Sequence, residues 1–207
     1  SWGDNQYGRL GLNQSGNHNN PNQSYSSPKQ VGTDTTWYRA WTTGNAQWAT
    51  KTDGTLWVWG QNNWGQLGQN QVDVHYSSPT QIPGTTWRTA SGGTAHPAIS
   101  HVVATKTDGT LYAWGNGDTG QLGQNNRTNY SSPVQIPGTS WSFVNAVGGG
   151  HMGATKTDGT CWTWGLNQYG QLGLNDRTYR SSPTQVPGTT YTSVIPQHLG
   201  TLFLKGA

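Results

Sequence analysis

The sequence predicts an all-β fold, a β-propeller built from four-stranded blades, and three observations carry that expectation. A set of short motifs returns in fixed order about every 50 residues along the 207-residue chain. Asp-Gly pairs, a strong hairpin signal, each precede a short apolar segment. The composition includes 30 Gly, 10 Pro, 12 Trp and 9 Tyr, and all eight acidic residues are Asp, which disfavours long helices and favours short strands joined by tight turns.

The period is easiest to see in Ser-Ser-Pro, which ends at Pro28, Pro79, Pro133 and Pro183. An aromatic follows each proline, at Trp37, Trp87, Trp141 and Tyr191. Ala-Thr-Lys-Thr-Asp-Gly-Thr then starts at Ala49, Ala104 and Ala154, and Trp-Gly follows at Trp59, Trp114 and Trp164, with a further copy at Trp2. Each Trp-Gly leads into Gly-(Gln/Arg)-Leu-Gly, over 8–11, 65–68, 120–123 and 170–173. One domain of four approximate repeats results, over 1–58, 59–113, 114–163 and 164–207.

Within a repeat, Asp53-Gly54, Asp108-Gly109 and Asp158-Gly159 are expected as two-residue type I′ loops, because Asp-Gly tolerates positive φ at both positions. The segments after them read Leu56-Trp57-Val58-Trp59, Leu111-Tyr112-Ala113-Trp114 and Cys161-Trp162-Thr163-Trp164. Alternate strand residues face opposite ways, so in two of the three copies both faces carry large apolar groups and need cover. Aliphatic residues are scarce, so Trp and Tyr must build the core, each ring burying roughly 150–250 Å². Sheets covered on both faces, repeating with this period and free of helices, pack best as radial blades.

The unit over residues 49–68 resembles a repeat of the regulator of chromosome condensation family, and Ser-Ser-Pro-Thr-Gln-Ile-Pro-Gly over 77–84 resembles the bacterial and phage versions of it. The resemblance covers essentially the whole chain. It implies a propeller of four-stranded blades, typically seven, whereas about four are present here. Two arrangements stay open: a segment of a larger propeller, or a four-bladed ring closed by its own termini. The segment is the favoured expectation, because no Met starts the chain and Lys205 repeats Lys51, Lys106 and Lys156 just before the sequence ends. Relatives of this kind include a nucleotide-exchange factor for a small GTPase and an inhibitor of β-lactamase, but no motif here matches their contact residues.

The chemistry-bearing residues point away from an enzyme. Asp53, Asp108 and Asp158 recur in turns where Asp is favoured structurally, and the other acids are isolated, without the convergent pair a general acid and base require. Cys161 is the single cysteine, which excludes an intrachain disulfide and a multi-cysteine metal site. His96 and His101 lack the further ligands a metal shell needs; neither metal nor cofactor is expected. No segment approaches the ~20 apolar residues of a membrane span. Eleven Lys and Arg are scattered under a net charge of +3, so nucleic acid is not an expected partner.

Binding is the expected activity, from departures in the repeat and from loop aromatics. The first repeat carries surplus residues over 13–24, with His18, and the second carries them over 92–101, with His96 and His101. Insertions of this kind are expected as loops on one face of an array. Five residues after each Trp of Trp-Gly stand Tyr7, Trp64, Thr119 and Tyr169 in polar loops. Tyr7, Trp64 and Tyr169 are candidates to stack on a sugar or anchor a protein; packing on the blade's own turn is the competing explanation. With the phage-like repeat style, these features suggest an extracellular adhesin or virion tail-fibre component recognising a glycan or protein receptor, in contact with other chains of an assembly. The alternative is a regulatory protein-binding module, inhibitor-like or exchange-factor-like.

Overall fold

The computed structural model describes residues 1–16, 24–96, 99–146, 149–197 and 199–206. Three four-stranded antiparallel sheets follow one another along the chain, each in simple meander order. The first holds β1 (Trp37–Thr43), β2 (Ala46–Lys51), β3 (Leu56–Gly60) and β4 (Tyr76–Ile82). The second holds β5 (Trp87–His96), β6 (Ile99–Lys106), β7 (Leu111–Gly115) and β8 (Tyr130–Ile136). The third holds β9 (Trp141–Asn145), β10 (His151–Lys156), β11 (Cys161–Gly165) and β12 (Arg180–Gln185). A two-stranded hairpin, β13 (Tyr191–Pro196) with β14 (Thr201–Lys205), ends the chain. The sheets therefore begin at the aromatics Trp37, Trp87 and Trp141 rather than at Trp-Gly.

The Asp-Gly turns differ in type from the expectation. Gly54, Gly109 and Gly159 have φ of 78°, 79° and 78°, whereas their Asp neighbours are not among the residues with positive φ. Gly54 N–H donates to the Lys51 carbonyl at 3.0 Å and Lys51 N–H to the Thr55 carbonyl at 3.0 Å, and the same pair of bonds recurs at Lys106 and Lys156. This is a type I turn followed by a left-handed glycine, a three-residue loop. Asp accounts for the choice: the Asp53 carboxylate accepts from Thr55 N–H at 2.9 Å and Thr55 O–H at 2.7 Å, and Asp108 and Asp158 repeat this with Thr110 and Thr160.

The third strands are covered on both faces, as their composition requires: β3, β7 and β11 share one burial pattern in which only the second residue is partly open. The core lies between sheets. Trp48, Leu56 and Ile82 of the first sheet pack with Trp87, Val102 and Trp114 of the second, and Leu111, Ile136 and Val103 of the second pack with Trp141, Met152 and Trp164 of the third. First strands touch first strands, β1 with β5, β5 with β9 and β9 with β13, so they converge on the inner side while β4, β8 and β12 lie outermost.

Each junction is latched by repeated bonds. Trp59, Trp114 and Trp164 donate their indole N–H to the carbonyls of Arg9, Gln66 and Gln121 in the preceding unit, at 3.0, 2.9 and 2.8 Å. The preceding Gly-Gln-Leu-Gly loop in turn seats on Ser-Ser-Pro: the N–H groups of Asn13, Asn70 and Asn125 donate to Ser77, Ser131 and Ser181 carbonyls at 2.8, 2.7 and 2.7 Å.

Gly3 bridges to Tyr25 as Gly60 pairs with Tyr76 between a third and a fourth strand. Among the described residues this bridge does not pair with β14, and no ring closed by the chain's own termini forms.

Candidate functional site

The described part of the surplus at 92–101 is strand rather than loop. It lengthens β5 and β6 into a longer hairpin, in which Gly92 pairs with Val102 and Gly93 with His101. Both glycines are required by close approach: a Cβ on Gly92 would meet Thr43 Cγ2 of the first sheet, and one on Gly93 would lie 2.5 Å from the His101 ring. His101 is fully enclosed. Burial, with a smaller contribution from nearby His151, pushes its imidazole down to about 3, and neither ring nitrogen has a hydrogen-bond partner among the described residues. As a surface contact for a ligand His101 is therefore corrected to a neutral core residue. His96 ends β5, and its side chain, like all of His18, lies outside the described residues.

The loop aromatics have different surroundings. Tyr7 is half-buried at φ 59° and sets its ring edge-on to His75, with centroids 4.7 Å apart. Trp64 is half-buried, with its backbone N–H held by the Gln66 side chain at 2.8 Å. Tyr169 is held in the same way by Gln171 at 2.9 Å, but its side chain is 60% exposed. They occupy three separate loops, one per unit, and only Tyr169 presents most of its ring to solvent. Cys161 is enclosed, and burial pushes its thiol up to about 12, which removes thiolate chemistry at neutral pH.

A feature the motifs did not single out recurs at the outer end of the junctions. Between the first and second sheets, Gln69, Asn70, Trp87, Lys106, Tyr112 and Ser132 line a crevice of about 350 Å³. Between the second and third, Gln124, Asn125, Trp141, Lys156, Trp162 and Ser182 line one of about 340 Å³. The two are the same place in successive repeats. The loop wall is fixed by Asn70 and Asn125, whose φ values of 58° and 59° aim their N–H groups at the Ser-Ser-Pro strand. In the floor, the Lys106 ammonium lies 4.7 Å from the Trp87 ring centroid and 4.6 Å from that of Tyr112; Lys156 lies 4.7 Å from Trp141 and 4.6 Å from Trp162. Such cation–π contacts hold a lysine in one place at roughly 0.5–2 kcal/mol each. The signal was present in the sequence as Lys eight residues before Trp59, Trp114 and Trp164, but the loop and Ser-Pro walls that complete each crevice come from distant parts of the chain.

The model of the regulator of chromosome condensation (RCC1) repeat matches residues 53–99, 108–154 and 158–196, more than half of the chain. The chain belongs to the RCC1-repeat family. Similar proteins include human E3 ubiquitin-protein ligase HERC2, 30% identical over 96 residues that make up 45% of this chain and 2% of HERC2. Another is the zebrafish (Danio rerio) protein RCC2 homolog, 35% identical over 86 residues, 41% of this chain and 17% of that protein. Among solved structures, human WBSCR16 superposes with a TM-score of 0.79 at 23% identity, and yeast RCC1 (Prp20), crystallised with Kap60, with 0.79 at 20%. Both cover all of this chain, which spans 52% and 50% of theirs. These likenesses establish the β-propeller fold, and this chain's three RCC1 sheets correspond to blades.

Proposed function

We propose that this RCC1-repeat chain is a rigid scaffold that binds another protein through the crevices at its blade junctions. The observation that carries the reading is the duplication of one crevice, with the same loop asparagine, lysine, flanking aromatic pair and Ser-Pro wall. In each crevice a half-buried ring, Tyr112 or Trp162, set against a buried tryptophan and beside fixed polar groups has the composition of an interface anchor, and junction latches pre-organise it so that little ordering entropy is lost on binding. Partner binding in the family supports this: solved relatives include yeast RCC1 bound to Kap60 and a Prp20p structure described with its binding to Gsp1p and histones. The carboxylates of the recurring aspartates are engaged in turns, which favours binding over catalysis.

A peptide-display selection on the whole chain tests the reading. Filling both crevices with Gln69→Trp and Gln124→Trp is expected to abolish capture of the selected peptides, whereas Tyr169→Ala leaves it intact. Capture that survives the filled crevices contradicts it. The second reading, an extracellular or virion adhesin for glycans, draws its support from the exposed Tyr169 ring beside Asn167 and Gln168; it predicts the opposite ranking of those variants on a glycan array.

A further inference from the structure

The first unit shows what completes the lysine site. There the Lys51 ammonium lies 4.8 Å from the Trp37 ring centroid and 3.9 Å from that of Trp57, and the Asp34 carboxylate meets it at 2.5 Å. Asp34 also accepts from Thr36 N–H at 2.8 Å and Thr36 O–H at 2.6 Å. Lys106 and Lys156 keep the ring sandwich, yet neither forms a salt bridge among the described residues. Counted back from the aromatic that opens each first strand, the position of Asp34 is held by Gly84, Gly138 and Gly188. A Cβ at those glycines would lie 3.8, 3.6 and 3.5 Å from the ammonium groups of Lys106, Lys156 and Lys205, so the missing side chain is the one that would face the lysine.

We infer that the Lys106 and Lys156 crevices are carboxylate-binding subsites, each taking an Asp or Glu side chain from an acidic segment of a partner protein in the place that Asp34 fills within the first blade. The inference rests on the protein-binding reading and names the chemistry that the crevices select. Counted in the same way, Thr86 and Ser140 occupy the position of Thr36. The acids nearest in sequence do not fill the place: Asp108 and Asp158 feel the field of Lys106 and Lys156, but among the described residues neither forms a salt bridge with them. A half-buried ammonium with rings on its flanks and no counter-charge gains more from an incoming carboxylate than a fully solvated one does. A peptide carboxylate is favoured over a uronic acid because the group that fills this place in the first blade is itself an aspartate side chain.

The test uses the whole chain with poly-L-aspartate as probe, and polygalacturonate and dextran as carboxylated and neutral glycan controls, in titrations at low and moderate salt. Wild type is expected to bind polyaspartate in preference to both controls, with affinity falling as salt rises. Lys106→Gln and Lys156→Gln should each weaken it by about fivefold or more. Asp34→Ala, which empties the equivalent place beside Lys51, should strengthen it by a few-fold, a gain that misfolding cannot produce. Unchanged affinity in folded lysine variants, no gain in Asp34→Ala, or binding of polygalacturonate without polyaspartate would each overturn the inference. If display-selected peptides are blocked by filled crevices yet ignore the lysine substitutions, protein binding stands and only the carboxylate assignment falls.

Discussion

Glycine positions at the junctions separate steric necessity from backbone preference. Gly68 and Gly123 have φ of 66° and 68°, and a Cβ there would lie 3.0 and 3.1 Å from the indole nitrogens of Trp114 and Trp164. Gly68→Ala or Gly123→Ala is expected to cost about 2–3 kcal/mol, combining left-handed strain with a push against the latch. Gly200 has no atom within 4 Å of a built Cβ and no positive φ, so Gly200→Ala should be neutral or slightly stabilising. Urea unfolding of the variants checks the ranking. His101 gives a pH dependence. Its folded value near 3 lies below the ordinary 6.5, so the unfolded chain takes up a proton first as pH falls. The stability contributed by the neutral ring is complete above pH 6.5 and declines below it, by up to about 1.4 kcal/mol per pH unit, until pH 3 is passed. The turn aspartates, whose folded values are depressed by their Thr hydrogen bonds, add a loss only once pH falls below about 4. Thermal melts of wild type and His101→Gln between pH 7 and 4.5 should show a flatter acid limb in the variant.

Within the blades, the elements legible in sequence were those set by local rules. Leu56–Gly60 and Leu111–Gly115 are legible as doubly covered strands because large apolar groups face both ways there shortly after Asp-Gly; Cys161–Gly165, with Cys and Thr on one face, is covered in the same pattern. The turn type is not legible from Asp-Gly alone: the side-chain bonds to the following Thr keep Asp out of the positive-φ region and leave only Gly left-handed. The longer hairpin of β5 and β6 is not legible from length alone, because surplus residues in a repeat fit a loop as well as a longer strand pair. Its close packing against Thr43 and its Thr, Ala, Ile and Val content make it sheet instead. The site was less legible still: Gln69, Lys106 and Ser132 each look like unremarkable repeat residues, and only the blade junction places them together. The indole latch carries an element-scale prediction. Trp114→Phe removes the donor to the buried Gln66 carbonyl and leaves a gap, and is expected to cost about 2–4 kcal/mol by urea unfolding. Trp57→Phe, at a half-buried ring whose N–H reaches only Thr55 in its own turn, should cost less.

At the scale of the molecule, the same three contacts recur at successive junctions: an indole N–H on a loop carbonyl, a loop asparagine on Ser-Ser-Pro, and a first-strand aromatic whose N–H donates to the preceding turn glycine, as Trp87 does to Gly54 at 3.0 Å. Stability in such an array is close to a sum of blade and junction terms, so the junctions, which also build the crevices, are where fold and function meet. Hydrogen–deuterium exchange of the whole chain with and without a display-selected peptide tests that claim most directly. The account predicts new protection over 68–70 with 131–133 and over 123–125 with 181–183, the walls of the two crevices. Protection confined to the loop around Tyr169, or spread over the exposed edge of β14 with the crevices unchanged, would contradict it.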